Sequence, residues 1–145
     1  MKKYLTDSRG FTLVELSVVI VIIGVLAAFG VPKFRNAVER SKAAEAFNYL
    51  AATRSAQERY QARQGTYASD LTSLDIAMPT PKYFSVGTVA PATSGTLEDS
   101  WTLTLTRMGA SGGYGQYTIT FTQDGFDATN STITGLEAIN PLSTS

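Results

Sequence analysis

Few residues of this chain can do chemistry. Its 145 residues include no cysteine and no histidine. That excludes disulfides, thiol chemistry, zinc sites built on Cys or His, and any nucleophile activated by a histidine. Twelve carboxylates and twelve basic groups remain. One carboxylate is out of place: Glu15 is the single charge in residues 11–32, where 16 of 22 residues are apolar. A carboxylate near one end of a membrane-length helix costs roughly 2–4 kcal/mol. Glu15 therefore either sits near the headgroups or meets a cation. Just before the run stands Gly10, whose missing side chain allows another backbone to come close. The seven acids beyond residue 64 form no paired motif of the kind glycoside hydrolysis needs. Asp124, Asp127 and Asn130 could offer oxygens to calcium. Their spacing is not that of an EF-hand loop, and Asp-Gly turn chemistry explains them without a metal. The stretch GASGGYG at 109–115 lacks the Gly-Lys-Ser/Thr end of a phosphate loop, so it reads as a hairpin connection.

These residues depend on the elements that carry them. Residues 11–32, as a helix, would be about 33 Å long at ~1.5 Å per residue, enough to cross a bilayer core of ~30 Å. A domain this small can hardly wrap so many apolar residues as a buried core helix. The run also exceeds the ~7–15 residue core of a cleaved secretory signal. Lys2, Lys3 and Arg9 precede it, which keeps that end cytoplasmic. From Lys33 the pattern turns amphipathic: Ala43, Ala46, Phe47, Leu50, Arg54, Gln57 and Tyr60 follow 3–4 spacing. Arg35–Glu39 and Arg54–Glu58 stand as i,i+4 pairs of opposite charge. No Pro or Gly occurs between Pro32 and Gly65, and Gly65 is a natural helix stop. One helix is thus expected from Phe11 to Gln64.

Beyond Gly65 come a loop, a short helical turn over Leu71–Ile76 capped by Ser69 or Asp70, and strands. Tyr83–Val86 is one strand candidate. Trp101, Leu103 and Leu105 alternate with threonines, as do Tyr117, Ile119 and Phe121. Such period-2 runs predict antiparallel strands with one wet threonine face and one apolar face packed on the helix. Asp124-Gly125 marks another turn. The fold class is therefore α+β. The expected organisation is a leader (1–10), a membrane-spanning helix (11–32), its amphipathic half (33–64) and a loop-and-sheet head (65–145). The net charge of zero hides these parts, which carry +2, −1, +4 and −5 in turn. From residue 65 onward, 25 of 81 residues are Ser or Thr, which suggests a hydrated surface; Asn130-Ser131-Thr132 is a glycosylation sequon in form.

Arg9-Gly10-Phe11-Thr12-Leu13-Val14-Glu15, behind a short basic leader and ahead of the apolar run, resembles the prepilin signal of type IV pilins and pseudopilins. The resemblance covers residues 1 to about 64. It implies a prepilin peptidase that cuts after Gly10 and N-methylates Phe11, and a Glu15 that meets the amine of a neighbouring subunit. It implies a helix loosened between Gly24 and Pro32 in filaments, consistent with the weak helix propensity of Gly and the missing N–H of Pro. It implies a homo-oligomeric filament and, as partners, the peptidase, an inner-membrane assembly platform, an assembly ATPase and a secretin. The precursor would be a single-pass protein of the cytoplasmic membrane with its head outside, and the product a cell-surface pilus. No catalysis and no cofactor are implied. Nucleic acid is not an expected partner, because filament neighbours would shield the basic helix and the head is acidic.

The chain departs from the family in two places. Many type IV pilins close the C-terminal region with a disulfide; here Ile133, Leu136 and Ile139 would have to pin it by packing. The Asp-Pro-Trp-Gly calcium loop usual in major pseudopilins is missing. The expected function is therefore a structural pilus subunit serving adhesion, twitching motility or DNA uptake. A pseudopilin of type II secretion shares the first 64 residues and is the alternative; a single-span anchored binding module or enzyme is the alternative of another class. Replacing Gly10 by Val should leave unprocessed protein in the membrane on immunoblots, whereas a mature-sized band would contradict the proposed cut.

Overall fold

The computed structural model describes residues 10–92, 95–110 and 112–143. A long helix, α1 (Leu13–Gln64), leads the chain. It is followed by a 3-10 turn (Leu71–Ser73), strands β1 (Phe84–Val86), β2 (Thr102–Arg107), β3 (Thr118–Thr122) and β4 (Gly125–Phe126), and a second 3-10 turn (Thr132–Gly135). The architecture is α+β, as the patterning requires. The chain divides into two compact units, one ending at Phe34 and one beginning at Arg35.

In the first unit, α1 is long and apolar enough to cross a membrane, and none of its apolar window is buried within the protein. The helix runs without a break through Gly24 and Pro32. Pro32 removes one i→i−4 hydrogen bond without ending the helix.

In the second unit, α1 buries Ala43, Ala46, Phe47 and Leu50 on one stripe, with Tyr49, Thr53, Ala56 and Gln57 beside it. The sheet is antiparallel throughout, ordered β1-β2-β3-β4. In β2 the side chains of Leu103, Leu105 and Arg107 are buried while Thr102, Thr104 and Thr106 are half-exposed, the alternation of a strand with one dry face. Leu103 pairs with Phe121 and Leu105 with Ile119, and these join Phe47 and Leu50 in one apolar cluster. Phe47 meets Phe121 edge-on at 5.8 Å between ring centroids, a favoured aromatic geometry.

Polar groups tie the connections down. Gly65, at φ +78°, ends α1 and donates its N–H to the Gln61 carbonyl. The buried Gln57 amide clasps the next segment from both sides: Nε2 donates to the Ala68 carbonyl at 2.9 Å, and the Ala68 N–H donates to Oε1 at 2.8 Å. Asp70, one of the two expected caps, accepts from the Thr72 N–H. Ile133 and Ile139 are fully buried, and Leu136 packs against the same core. Arg40 adds a clasp: its Nη2 donates to the carbonyls of Pro141 and Ser143. Packing plus this one guanidinium thus holds a segment that a disulfide would otherwise close.

Two expectations need correction. Glu39 does not pair with Arg35 on a wet face. It is 2% exposed and accepts from Arg107 of β2 instead, because the helical stripe that buries Ala43 also turns Glu39 inward. Arg54–Glu58 does form, at 3.2 Å. Nor is the threonine face wet throughout. Thr120 is buried, because the segment after β4 lies over it. Ser131 Oγ accepts the Thr120 N–H and Thr132 Oγ1 the Thr118 N–H, which satisfies the edge of β3 beyond the two-residue β4.

The Glu39 centre is bidentate. Arg107 Nε donates to Glu39 Oε1, and Nη2 donates to Oε2 at 3.1 Å. Tyr117 hydroxyl donates to Oε1 at 3.0 Å and Lys42 to Oε2 at 3.3 Å. The rest of the guanidinium donates to the carbonyls of Tyr83, Met108 and Ala110. Burial alone would raise the Glu39 carboxyl pKa, but the donors from Arg107 and Tyr117 outweigh it and hold it below the usual range. Burial and the nearby Glu39 charge push the Tyr117 phenol up, so it stays a donor. Because the Glu39 pKa falls on folding, the pair stabilises above the unfolded value of about 4.3 and that contribution is lost as pH drops through the folded value. Glu39→Ala should cost about 3–5 kcal/mol by stranding a buried arginine, while Glu39→Met with Arg107→Met should recover most of it. Urea unfolding followed by the emission of Trp101, the single and fully buried tryptophan, checks both.

Candidate functional site

The site begins where α1 begins. The first four N–H groups of any helix lack intrahelical partners. Thr12 stands at the N-cap position, just before Leu13, and Glu15 at the third helical position. The Glu15 N–H donates to Thr12 Oγ1 at 3.1 Å. In return Glu15 Oε2 accepts from the Thr12 N–H at 2.9 Å and from the Thr12 hydroxyl at 2.8 Å. This reciprocal closure is a capping box. Both Glu15 bonds fall on Oε2, so Oε1 has no partner among the described residues. A carboxylate in the first turn also complements the positive end of the helix dipole.

Read from the apolar run alone, Glu15 is a lone charge in need of a cation; in the structure it has a local partner, Thr12. The signal was present: Thr12-Leu13-Val14-Glu15 has the Thr-x-x-Glu spacing of the box. The box closes immediately after Gly10 and Phe11. Gly10 is exposed and Phe11 is 89% exposed. Chemically, the arrangement is a solvent-facing Gly-Phe peptide leading into a rigid first turn that presents a carboxylate with one oxygen to spare. Lys2, Lys3 and Arg9 lie outside the described residues.

Gly24 and Pro32 both lie within the continuous α1, and a Cβ added at Gly24 would meet nothing. Among the described residues Asp127 and Asn130 are hydrogen-bonded to each other, and Asp124 bonds to neither. Asp127 Oδ1 accepts the N–H groups of Thr129 and Asn130, and Oδ2 accepts from Asn130 Nδ2 at 2.7 Å. Those hydrogen bonds, with the Asn130 amide donors first, lower the Asp127 pKa. Asp124 accepts from Gln123 at the β3–β4 turn. Gly109, Gly112, Gly113 and Gly115 adopt positive φ in the β2–β3 connection, as a glycine hairpin loop requires.

Residues 5–31 match the family described as the prokaryotic N-terminal methylation motif. The chain is 41% identical over 69 residues to the fimbrial protein EcpC of Eikenella corrodens, covering 48% of this chain and 45% of the relative. It is 35% identical over 74 residues to the type IV major pilin protein PilE1 of Neisseria gonorrhoeae, covering 51% and 45%. With the type IV major pilin protein PilA of Myxococcus xanthus it shares 39% identity over 70 residues, covering 48% and 32%. The chain thus spans less than half the length of each of these relatives. A methylation motif across the capped start of an unburied apolar helix, and 35–41% identity to fimbrial and pilin proteins over about half of the chain, make its N-terminal half similar to that of type IV pilins.

Proposed function

We propose that the chain is a structural subunit of a type IV pilus, with no catalytic activity of its own. The observation that carries this reading is the helix start: an exposed Gly10-Phe11 peptide, a Thr12–Glu15 box, and an apolar helix that none of the described residues covers. A membrane-bound peptidase would cut after Gly10 on the cytoplasmic face, leaving a free α-amino group on Phe11 that is then N-methylated. The methylated amine stays protonated and charged.

The second step is assembly. A charged amine and a charged carboxylate are each costly in an apolar filament core, and each offsets the other's cost only as a close pair. Within one subunit Glu15 Oε2 is held by Thr12, so Oε1 is the oxygen that would accept from the ammonium of a neighbouring Phe11. Apolar helices then pack on one another, and the Gly24–Pro32 stretch supplies the residues at which they can loosen. The leader removes three basic groups and one acid; the remainder has nine basic and eleven acidic side chains. The subunit would wait as a single-pass protein of the cytoplasmic membrane, head outside, until an assembly platform, an ATPase and a secretin carry the filament out. Adhesion, twitching motility or DNA uptake would follow from what the head presents.

Glu15→Ala should leave cleavage intact and abolish surface filaments. Electron microscopy of cells, beside an immunoblot for the mature band, reads both. Normal filament numbers in that mutant would sink the pairing.

A further inference from the structure

We propose that the outer face of the head sheet carries a binding groove for a neutral pyranose sugar. The groove encloses about 320 Å³ and lies wholly within the second unit. Its floor is Thr102, Thr104, Thr120 and Thr122 of β2 and β3; Pro91 forms one wall, and Asp127 with Asn130 the other. That volume is at the small end of ligand pockets and suits a single ring.

The chemistry of the lining selects the ligand. The floor threonines are cross-strand partners, Thr102 with Thr122 and Thr104 with Thr120. The Thr120 hydroxyl donates its one hydrogen to the Asn130 carbonyl at 3.0 Å. The 2.9 Å contact between Thr104 and Thr120 must therefore be donated by Thr104, which leaves Thr104 Oγ1 an acceptor. Thr122 Oγ1 accepts from the Asp124 N–H, so its own hydrogen is free to donate. The Thr102 hydroxyl has no partner among the described residues and can do both. Asp127 holds the Asn130 amide through Nδ2, and Asn130 Oδ1 has no partner among the described residues, so it can accept beside the carboxylate.

The groove thus mixes donors and acceptors at fixed positions. No Lys or Arg among the described residues lines it, so it does not suit a phosphate or carboxylate. Its one carboxylate already accepts three internal hydrogen bonds, which disfavours a bare cation. Its apolar surface, from Pro91, Ala92 and threonine methyls, is too small for an apolar ligand. A molecule that carries several hydroxyls on a compact ring matches it: vicinal hydroxyls reach the Asp127–Asn130 pair and the threonine floor, and ring C–H groups rest on Pro91. With no aromatic ring among the described lining residues to stack on, binding should be weak, with Kd on the order of millimolar.

The groove belongs to the single head, so this inference does not rest on filament assembly. The test uses the full chain held in phosphocholine micelles, which carry no sugar. Saturation-transfer NMR is recorded with methyl β-D-galactopyranoside, methyl α-D-mannopyranoside and N-acetyl-D-glucosamine. Transfer to at least one sugar is expected, falling roughly tenfold when Thr102→Val is combined with Thr122→Val, since two hydrogen bonds go while strand propensity stays. Unchanged Trp101 emission reports that the variant head is folded. Asn130→Ala, at an exposed wall position, is the second arm and should weaken transfer likewise. No transfer to any of the three sugars, or transfer undiminished from that of the unaltered chain in both the double variant and Asn130→Ala, would overturn the assignment.

Discussion

Everything in this protein answers to one constraint: the first unit is an apolar helix that none of the described residues buries. Leu13, Val14, Leu16, Ile20, Ile22, Ile23, Leu26 and Phe29 are all exposed. Burying one such side chain is worth about 1.5–3 kcal/mol, so water is not a stable surrounding for the set. On the proposed function, lipid before assembly and neighbouring helices after it would satisfy the same surface. Both are dry, and in a dry medium a helix start without hydrogen-bond partners is expensive. The Thr12–Glu15 box meets that cost with the chain's own side chains. It also limits what Glu15 can do next: one oxygen is committed locally and one faces outward.

The second unit uses α1 differently. There the helix presents a stripe rather than a full apolar cylinder, and the stripe includes a charge. Glu39 is tolerated because Arg107 reaches it with two donors and Tyr117 with a third. The pairing joins the helix to β2 and β3 and, through three carbonyls bonded by Arg107, to the ends of β1 and of the glycine loop. Buried ion pairs of this kind add little net stability against an apolar replacement, yet they tolerate only one register. A one-residue slip of β2 would turn Arg107 outward and take both guanidinium donors from Glu39.

Much of this was legible in the residues. The period-2 runs at Trp101–Thr106 and Tyr117–Thr122 located the two central strands, and Gly65 the end of the helix. The Glu39–Arg107 pair was also within reach. Arg107 continues the Leu103–Leu105 alternation onto the dry face, and Glu39 stands four residues before Ala43 on the buried stripe. Each looked like a surface charge when read on its own element, and their meeting needs the packing of two elements 68 residues apart. The Thr12–Glu15 box was missed for the opposite reason: the anomaly of a charge in an apolar run drew attention away from its neighbour. The covering of Thr120 by the Asn130–Thr132 segment had no local sign, because it depends on where the chain returns after β4.

The central claim is that Gly10-Phe11 is the cut that turns an anchored precursor into a filament subunit. Tandem mass spectrometry of the N-terminal peptide of this protein, taken from filaments sheared off cells, tests it directly. The account predicts a peptide that begins at Phe11 and carries one extra methyl group on its α-nitrogen. A peptide that retains residues before Phe11, or starts at any other position, would contradict it.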